Sequence, residues 1–361
     1  MPDFLKIFKS VGSFVGEESY LGVDIGTTSI KIAEITKGGE WPKLVNYGIL
    51  ESYGHLERIN SAIQTSSLKM AEKETGALLK ALVKKLKIGT KNAVASIPTF
   101  SAFITTLETP AMSEVDTTKA MQYQIQQYVP LPIEEVAIEW IKVGERDDER
   151  GGKKQQILLI LIPKEHLQRY QNVFKMAGLN LKFLEIESFS LARALIGDNA
   201  QTALIADIGA LYTNLAVVSN GFLKYNVQTD FSGNTLTRAI ASGLNINTRR
   251  AEEIKKQTGI SGGEGERELS TLAYPSLDAI IGEITRTKNI YGKNYNGAVE
   301  KVILAGGGAN MPGIGNYFGE RIGLPTEIAN PFTRINYPPD IEPLLKELGP
   351  LMSVAIGLAL K

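Results

Sequence analysis

There is no cysteine among the 361 residues of this chain, which excludes disulfides and thiol catalysis and fits a reducing compartment. Histidine is nearly absent too. His55 and His166 are the only two, far apart in the chain, so a histidine-built metal centre or a nucleophile–histidine triad lacks its material. His166 falls in a segment of helical pattern and reads as a surface residue. An excess of charge of one sign is also missing: Lys plus Arg and Asp plus Glu balance at 39 each, which leaves no footprint for nucleic acid. No apolar run reaches the ~18–20 residues of a membrane-spanning helix. Residues 1–16 carry Phe4, Phe8, Val11 and Val15 at helical spacing beside Lys6 and Lys9. They lack the apolar stretch and cleavage site of a signal peptide. A short leader is expected there, amphipathic enough to lie on its own domain, on a partner or at a membrane interface. What remains is an ordinary globular composition, 43% apolar and 22% charged, long enough for two or three domains.

Against that background one stretch stands out. Leu21-Gly-Val-Asp-Ile-Gly-Thr-Thr-Ser-Ile-Lys-Ile-Ala-Glu-Ile35 reads as a strand, a tight polar turn and a second strand. Asp24 breaks the apolar run, and a carboxylate beside a buried strand needs a partner. The small hydroxylated turn Gly26-Thr27-Thr28-Ser29 can aim several backbone N–H groups into one concavity, which suits a phosphate. The carboxylate beside it suits a hard cation. Any hairpin can own such a turn, but the chain repeats it. Sliding the stretch by 183 positions (207 − 24) pairs Leu21 with Leu204, Asp24 with Asp207, Ile25 with Ile208, Gly26 with Gly209 and Ala33 with Ala216. Two related halves are expected, each presenting an Asp-x-Gly turn to a shared cleft.

The rest of the chain alternates strand and helix patterns. Lys43–Glu51 completes a meander, residues 67–86 carry an apolar helical stripe, and Asn92–Ile97 is a short buried strand. Residues 101–184 then read β-α-β-β-α-β, the order of a small inserted subdomain, with a charged loop expected over 144–154. A short helix from Glu187 leads to the second hairpin. Further expectations are a strand at Phe222–Thr229, a helix opening near Gly233, and one capped by Asn247 that presents Glu252, Lys255 and Lys256. After a Gly-rich loop at 262–266 come a long helix from about Pro275, a strand at Lys301–Ala305 running into Gly306-Gly307-Gly308, and an apolar helix from Pro350. The expected division is a leader at 1–18; a first-lobe core at 19–100, joined by 183–200 and 340–361; an insert at 101–182; a second-lobe core at 201–243 and 296–339; and a second-lobe subdomain at 244–295.

Two Asp-x-Gly hairpins followed by a late strand–Gly-Gly-Gly–helix resemble the actin, sugar-kinase and DnaK-type chaperone superfamily. The resemblance implies an α/β, two-lobed actin-like (ribonuclease-H-like) fold that binds ATP with Mg²⁺ between its lobes. It makes the hairpins the two phosphate loops, with Gly26, Thr27, Thr28, Ser29, Lys31, Gly209, Ala210 and Gly233 toward the phosphates. Asp24 and Asp207 would hold Mg²⁺, through water, because that ion dehydrates reluctantly. Gly306, Gly307 and Gly308 take the adenosine motif, and Glu252, Lys255 and Lys256 the ribose and adenine. Glu187, on the first connecting helix, is the candidate for orienting a water in hydrolysis; a carboxylate favoured by the helix dipole is the alternative. Lys31 is likewise either a phosphate ligand or a solvated cation.

Within the superfamily the insert is of the type shared by the FtsA and PilM branches. The chain is similar to PilM-type pilus assembly proteins over nearly its whole length: Val23-Asp-Ile-Gly-Thr-Thr-Ser-Ile-Lys31, Tyr128-Val-Pro-Leu-Pro132, Ala177-Gly-Leu179, Gly233-Asn-x-Leu-Thr-Arg238, Leu304-Ala-Gly-Gly-Gly-Ala309 and Gly357-Leu-Ala-Leu360. FtsA proteins typically continue past that last motif into a membrane-targeting helix, so a chain ending at Lys361 is expected to fall on the PilM side. The resemblance implies a cytoplasmic scaffold of the type IV pilus machine, or of a related type II secretion or competence system. It would sit at the inner membrane through its partners. The expected partners are the cytoplasmic N-terminal tail of a PilN-like membrane protein and other pilus-assembly proteins; a homo-oligomer stays open. Nucleotide state would modulate partner binding, with slow ATP turnover at most. An FtsA-like filament protein and a small-molecule kinase are the alternatives.

Overall fold

The computed structural model describes residues 19–51, 68–125, 132–148, 151–197, 201–260 and 267–361. The expected leader, the Gly-rich loop at 262–266 and most of the Tyr128–Pro132 motif lie outside them.

The two halves implied by the repeated hairpin are two five-stranded sheets of one topology. The first runs β3-β2-β1-β4-β8 and the second β11-β10-β9-β12-β13. In the first, β1 (Ser19–Ile25), β2 (Ser29–Thr36) and β3 (Lys43–Glu51) form the antiparallel meander, and β4 (Asn92–Ile97) and β8 (Asn180–Ile186) add on in parallel. In the second, β9 (Ala203–Ile208), β10 (Thr213–Ser219) and β11 (Phe222–Thr229) form the meander, followed by β12 (Lys301–Ala305) and β13 (Thr326–Ile328). The two-lobed actin-like fold expected from the hairpins is therefore present.

Strand periodicity explains how the halves join. Alternate residues of the second sheet, Ala203, Ile205, Ala216, Val218, Ile303 and Ala305, share a core with the first lobe. The residues between them, Leu204, Ala206, Leu215, Val217, Val302 and Leu304, pack under helices of the second lobe. Strands buried on both faces read as continuous apolar runs. Between the sheets lie α4 (Glu187–Leu195) and α9 (Leu345–Ala359), where the backbones come so close that only glycine fits. A Cβ on Gly22 would stand 1.9 Å from the Ala355 carbonyl, and one on Gly357 would stand 2.0 Å from that of Ser190.

The segment between β4 and β8 carries the insert: β5 (Phe103–Pro110), α2 (Glu114–Ile125), β6 (Val136–Asp147), β7 (Lys153–Pro163) and α3 (Lys164–Ala177). The β-α-β-β-α-β order holds, but its last strand, β8, pairs with β4 of the first lobe, so the insert's own sheet is β5-β7-β6. Leu158, Ile160 and Ile162 of β7 face the main core, while Ile157, Leu159 and Leu161 face Met121 of α2. The loop expected over 144–154 is shorter: β6 continues to Asp147 and β7 starts at Lys153, with Arg146 of β6 reaching over β7 to Glu108 of β5 at 2.8 Å, so that the charged residues pair on the sheet surface. Gly178 ends α3 in the left-handed conformation, as expected.

The first lobe also holds α1 (Leu68–Leu86), and the second holds α5 (Gly233–Gly243), α6 (Thr248–Gln257), α7 (Arg267–Tyr295) and α8 (Ile314–Ile322). Two helices begin earlier than expected. Pro275 lies inside α7 and Pro350 inside α9. Each proline loses one hydrogen bond, but buried residues upstream, Leu269 and Ala273 in one and Leu348 in the other, anchor the extra turns by packing.

Candidate functional site

Both hairpin turns close in the same way. Gly26 N–H donates to the Ser29 carbonyl at 2.9 Å, and Gly209 N–H donates to the Tyr212 carbonyl at 3.0 Å. Each aspartate faces a cross-strand partner: Asp24 opposite Lys31, Asp207 opposite Asn214. These positions correspond under the 183-residue shift, but one hairpin carries a cation and the other an amide. Lys31 Nζ lies 3.0 Å from Asp24 Oδ2, with both side chains largely buried. Ser96 Oγ, on β4, donates to Asp24 Oδ1 at 3.4 Å. Asn214 donates to Ser188 Oγ at 2.8 Å and accepts from Asn226 at 2.6 Å, tying the second hairpin to the start of α4.

Glu187 opens α4 at the end of β8 and is buried. Its Oε1 accepts from Thr99 Oγ1 at 3.1 Å and from Thr99 N–H at 3.4 Å, and its Oε2 accepts from the Tyr212 hydroxyl at 3.3 Å. Thr99 and Glu187 follow the ends of adjacent parallel strands, where α/β folds place ligands. Burial, then Asp207 and Asp24, push Glu187 up to about 8. Burial and Asp24 push Asp207 up to about 6, against the pull of Lys31. Burial lowers Lys31, but Asp24, then Asp207 and Glu187, outweigh it and hold the ammonium above its ordinary value. Lys31 thus answers three carboxylates, and the hairpins and Glu187 form one electrostatic unit. Among the described residues no group of three or more His, Cys, Asp or Glu side chains is placed to hold a metal. Asp24 and Asp207 alone fit a cation that keeps its own waters.

The remaining expected residues gather beside this unit. A narrow, mostly apolar pocket is lined by Ile208, Gly233, Lys255, Leu277, Gly307 and Gly308, among others. A Cβ on Gly307 would meet nothing nearer than Leu351 at 3.5 Å, so this glycine bares backbone to the pocket. Gly306 (φ 77°) and Gly308 are bare for another reason: side chains there would strike Asp207 Oδ1 and Ile208 Cγ2, each at 2.3 Å. Lys255, buried, donates to the Gly233 carbonyl at 3.2 Å and pairs with Glu252 at 2.6 Å, while Lys256 stands 3.8 Å from the same carboxylate. Burial raises Glu252, but Lys255, Thr237 and Lys256 outweigh it and lower the carboxyl. Burial lowers Lys255 against the opposing pull of Glu252. Gly233 N–H, at the start of α5, donates to the Gly209 carbonyl at 2.9 Å, and Asn234 N–H to that of Ala210 at 2.9 Å. The helix start is thereby fastened to the second turn. Thr27 and Ser29 are buried in the first turn and Thr28 half-buried.

The structure therefore brings together every expected site residue, in two adjoining groups. Sequence reasoning missed Ser96, Thr99 and Tyr212. Tyr212 carried a signal: the 183-residue shift pairs it with Ser29 and so puts a phenol where the other turn has a hydroxymethyl. Ser96 and Thr99 carried none, because only parallel pairing sets the end of β4 beside the hairpin.

Comparison with known proteins agrees with the two-lobed fold. A family model described as type IV pilus assembly protein PilM matches residues 22–361. Cell division protein FtsA of Enterococcus faecalis is 24% identical over 339 residues, covering 82% of this chain and 74% of its own. Among solved structures, a PilM–PilN type IV pilus biogenesis complex superposes with a TM-score of 0.80 at 21% identity, over 96% of this chain and 98% of that one. MreB5 of Spiroplasma citri bound to AMPPNP gives 0.51 at 16% identity, over 94% of each chain.

Proposed function

Because the chain belongs to the type IV pilus assembly protein PilM family, we propose that it is a cytoplasmic ATP-binding scaffold of the pilus inner-membrane complex, docking the N-terminal tail of a PilN-like membrane protein. The observation that carries the ATP reading is the adjacency of two groups. One is the cluster of Asp24, Lys31, Asp207 and Glu187 between twin turns; the other is the narrow pocket walled by Gly307, Gly308 and Lys255. The charge and turns of the first suit a polyphosphate, and the bare glycine backbone of the second suits a nucleoside, for which this narrow pocket would have to widen. Asp24 and Asp207 would hold a hydrated Mg²⁺, which would supply charge neutralisation for the phosphates. Lys31 would turn from Asp24 toward the phosphates, and Glu252 and Lys255 would meet the ribose and base. Among the described residues no helix is long and apolar enough to cross a membrane; in this reading membrane association would run through the partner.

Both lobes touch the insert, which gives nucleotide a route to the partner surface. The core under α1 and α3 joins the insert to the first lobe through Leu79, Leu82, Val173 and Phe174. On the other side Lys224 of β11 donates to the Val143 carbonyl, and its own carbonyl accepts from Tyr295 at 2.5 Å and Thr106 at 3.3 Å. A change in lobe angle therefore acts on the insert from two sides, and nucleotide shifts partner affinity only as far as it favours one lobe angle. The test is capture of this protein by an immobilised peptide of a PilN-like cytoplasmic tail, with Mg²⁺-ATP, with Mg²⁺-ADP and without nucleotide. Capture that differs among the three supports the reading; no capture in any sinks the partner, and equal capture in all sinks the nucleotide control.

A further inference from the structure

Ser188, Asn214 and Asn226 close a ring of hydrogen bonds between the lobes. Ser188 Oγ donates to Asn226 Oδ1 at 3.1 Å, Asn226 Nδ2 donates to Asn214 Oδ1 at 2.6 Å, and Asn214 Nδ2 donates back to Ser188 Oγ at 2.8 Å. All three side chains are buried. The direction of the ring follows from one backbone group. Asn226 Nδ2 also donates to the Leu215 carbonyl, at 2.9 Å, and a carbonyl can only accept. That contact turns the Asn226 oxygen toward Ser188, so the hydroxyl donates there and takes its own bond from Asn214. Every member gives one bond to the ring and receives one, and a buried network satisfied in this way specifies a single arrangement. Ser188 does not cap its own helix: α4 opens at Glu187 with no side-chain cap, and the hydroxyl is turned to the second sheet instead.

The ring stands between two carboxylates. Ser188 follows Glu187 in the chain, and Asn214 lies directly across from Asp207 in the β9–β10 pair. One hydrogen bond, from Asn214 to Ser188, therefore links the backbone that carries Glu187 to the backbone that carries Asp207. Asn226 holds that bond in line from β11, and its own hydrogen bonds reach neither carboxylate. Deepening the ATP reading above, on which its role in the cleft rests, we infer that Asn214 and Asn226 are positioning residues: acting through Ser188, they set where Glu187 stands against Asp207. Like charges left to themselves move apart or draw in water. The ring opposes that and keeps Glu187 within the field of the second hairpin, where the ATP reading places the phosphates. At the matching position of the first hairpin Lys31 meets Asp24 directly, so that jaw holds its carboxylate by an ion pair.

A pH profile tests this role, because plain support of the fold would not shift it. Besides Asp207, Glu187 is faced by Asp24 and Lys31 of the first hairpin, the Tyr212 phenol of the second and the Tyr170 phenol of α3. The difference in melting temperature between nucleotide-free wild type and Glu187→Gln, followed across pH, has a midpoint where Glu187 gives up its proton. The same pair in an Asn226→Ala background should show that midpoint lowered by roughly one pH unit, as Glu187 moves away from Asp207 and meets more water. Ser188→Ala breaks the ring at another member and should lower the midpoint as well, which keeps the test decisive should Asn226→Ala not fold. Ser353→Ala is the control. It removes a buried hydroxyl bonded within α9, to the Gly349 carbonyl, and should lower the melting temperature equally at every pH without moving the midpoint. A midpoint that stays in place in the ring variants, or profiles with no midpoint at all, overturns the positioning role. Calorimetry of wild type with Mg²⁺-ATP judges the other premise: no binding removes the ATP reading, while the profiles still decide whether the ring places Glu187.

Discussion

Ser29 and Tyr212 hold the same place in two copies of one turn, each offering its carbonyl to the glycine three residues before it. One turn keeps a small hydroxyl and the other a phenol that crosses to Glu187. The duplication builds a symmetric frame, and the unlike residues at matched positions make the two jaws do different work. Lys31 and Asn214 are the second such pair: a cation answers Asp24 in the first jaw, and an amide network anchors the second.

The buried ion pair of the first jaw gives a prediction in two parts. Asp24→Ala removes one of the two carboxylates proposed to face the cation and leaves the Lys31 ammonium buried, though still near Asp207 and Glu187. Removing one partner of a buried pair costs about 3–5 kcal/mol, and the residual carboxylates place this case at the lower end. Nucleotide binding should be lost while the protein stays folded. Calorimetry with Mg²⁺-ATP that matches wild type would rule out the assignment of Asp24.

Glu187 sets a pH dependence whose sign follows from its raised value. Free in an unfolded chain it ionises near 4.5, and in the fold it ionises near 8. The folded state thus binds the proton more tightly. The stabilisation is complete below about 4.5 and disappears as pH rises through about 8. It amounts to a few kcal/mol by order of magnitude, shared with Asp207. Melting temperatures of nucleotide-free wild type should fall across this interval relative to Glu187→Gln, which cannot ionise. Parallel curves for the two proteins would refute the assignment.

Most of this frame was legible in the sequence because a duplicated hairpin repeats its apolar alternation as well as its Asp-x-Gly turn. Strand starts at Lys43, Asn92 and Phe222 could be read from periodicity alone. The helix starts at Pro275 and Pro350 were misplaced because proline's preference for a first turn is local, whereas Leu269 and Leu348 are held by packing. Thr99 stayed hidden for a related reason. Nothing near it in the chain points to Glu187, 88 residues on. The pairing of β4 with β8 brings them together.

Glu185 offers a test of the first lobe that leaves the cleft alone. It is buried and receives both Arg193 nitrogens, at 2.8 and 3.0 Å, with Lys361 Nζ at 2.6 Å. Burial opposes its ionisation, but Arg193 and Lys361 outweigh it and lower its pKa. The stability it adds is therefore present above about 4.5 and fades as pH falls below that. Glu185→Gln should destabilise the protein by about 3 kcal/mol at neutral pH, with less difference from wild type in acid. Denaturant titrations at the two pH values measure this, and a constant difference would show that the cluster is not linked to protonation.

The last prediction concerns how the cleft speaks to the insert. Tyr295, at the end of α7, donates its hydroxyl to the Lys224 carbonyl on β11, which also receives Thr106 of the insert. Tyr295 further stacks on Tyr291 at 5.0 Å, so Tyr295→Phe keeps the ring in place and deletes the hydroxyl's contacts with the Lys224 carbonyl and, at 3.3 Å, with Thr106 Oγ1. The loss should be about 0.5–1.5 kcal/mol, too small to unfold the second lobe. The Lys224 ammonium still holds the Val143 carbonyl, so the insert remains attached but on a looser joint. If lobe angle is transmitted through this joint, the variant should bind Mg²⁺-ATP like wild type while the difference in peptide capture with and without nucleotide shrinks. Should that difference persist undiminished, the signal must travel by the other side of the insert, through the packing of Val173 and Phe174 against Leu79 and Leu82.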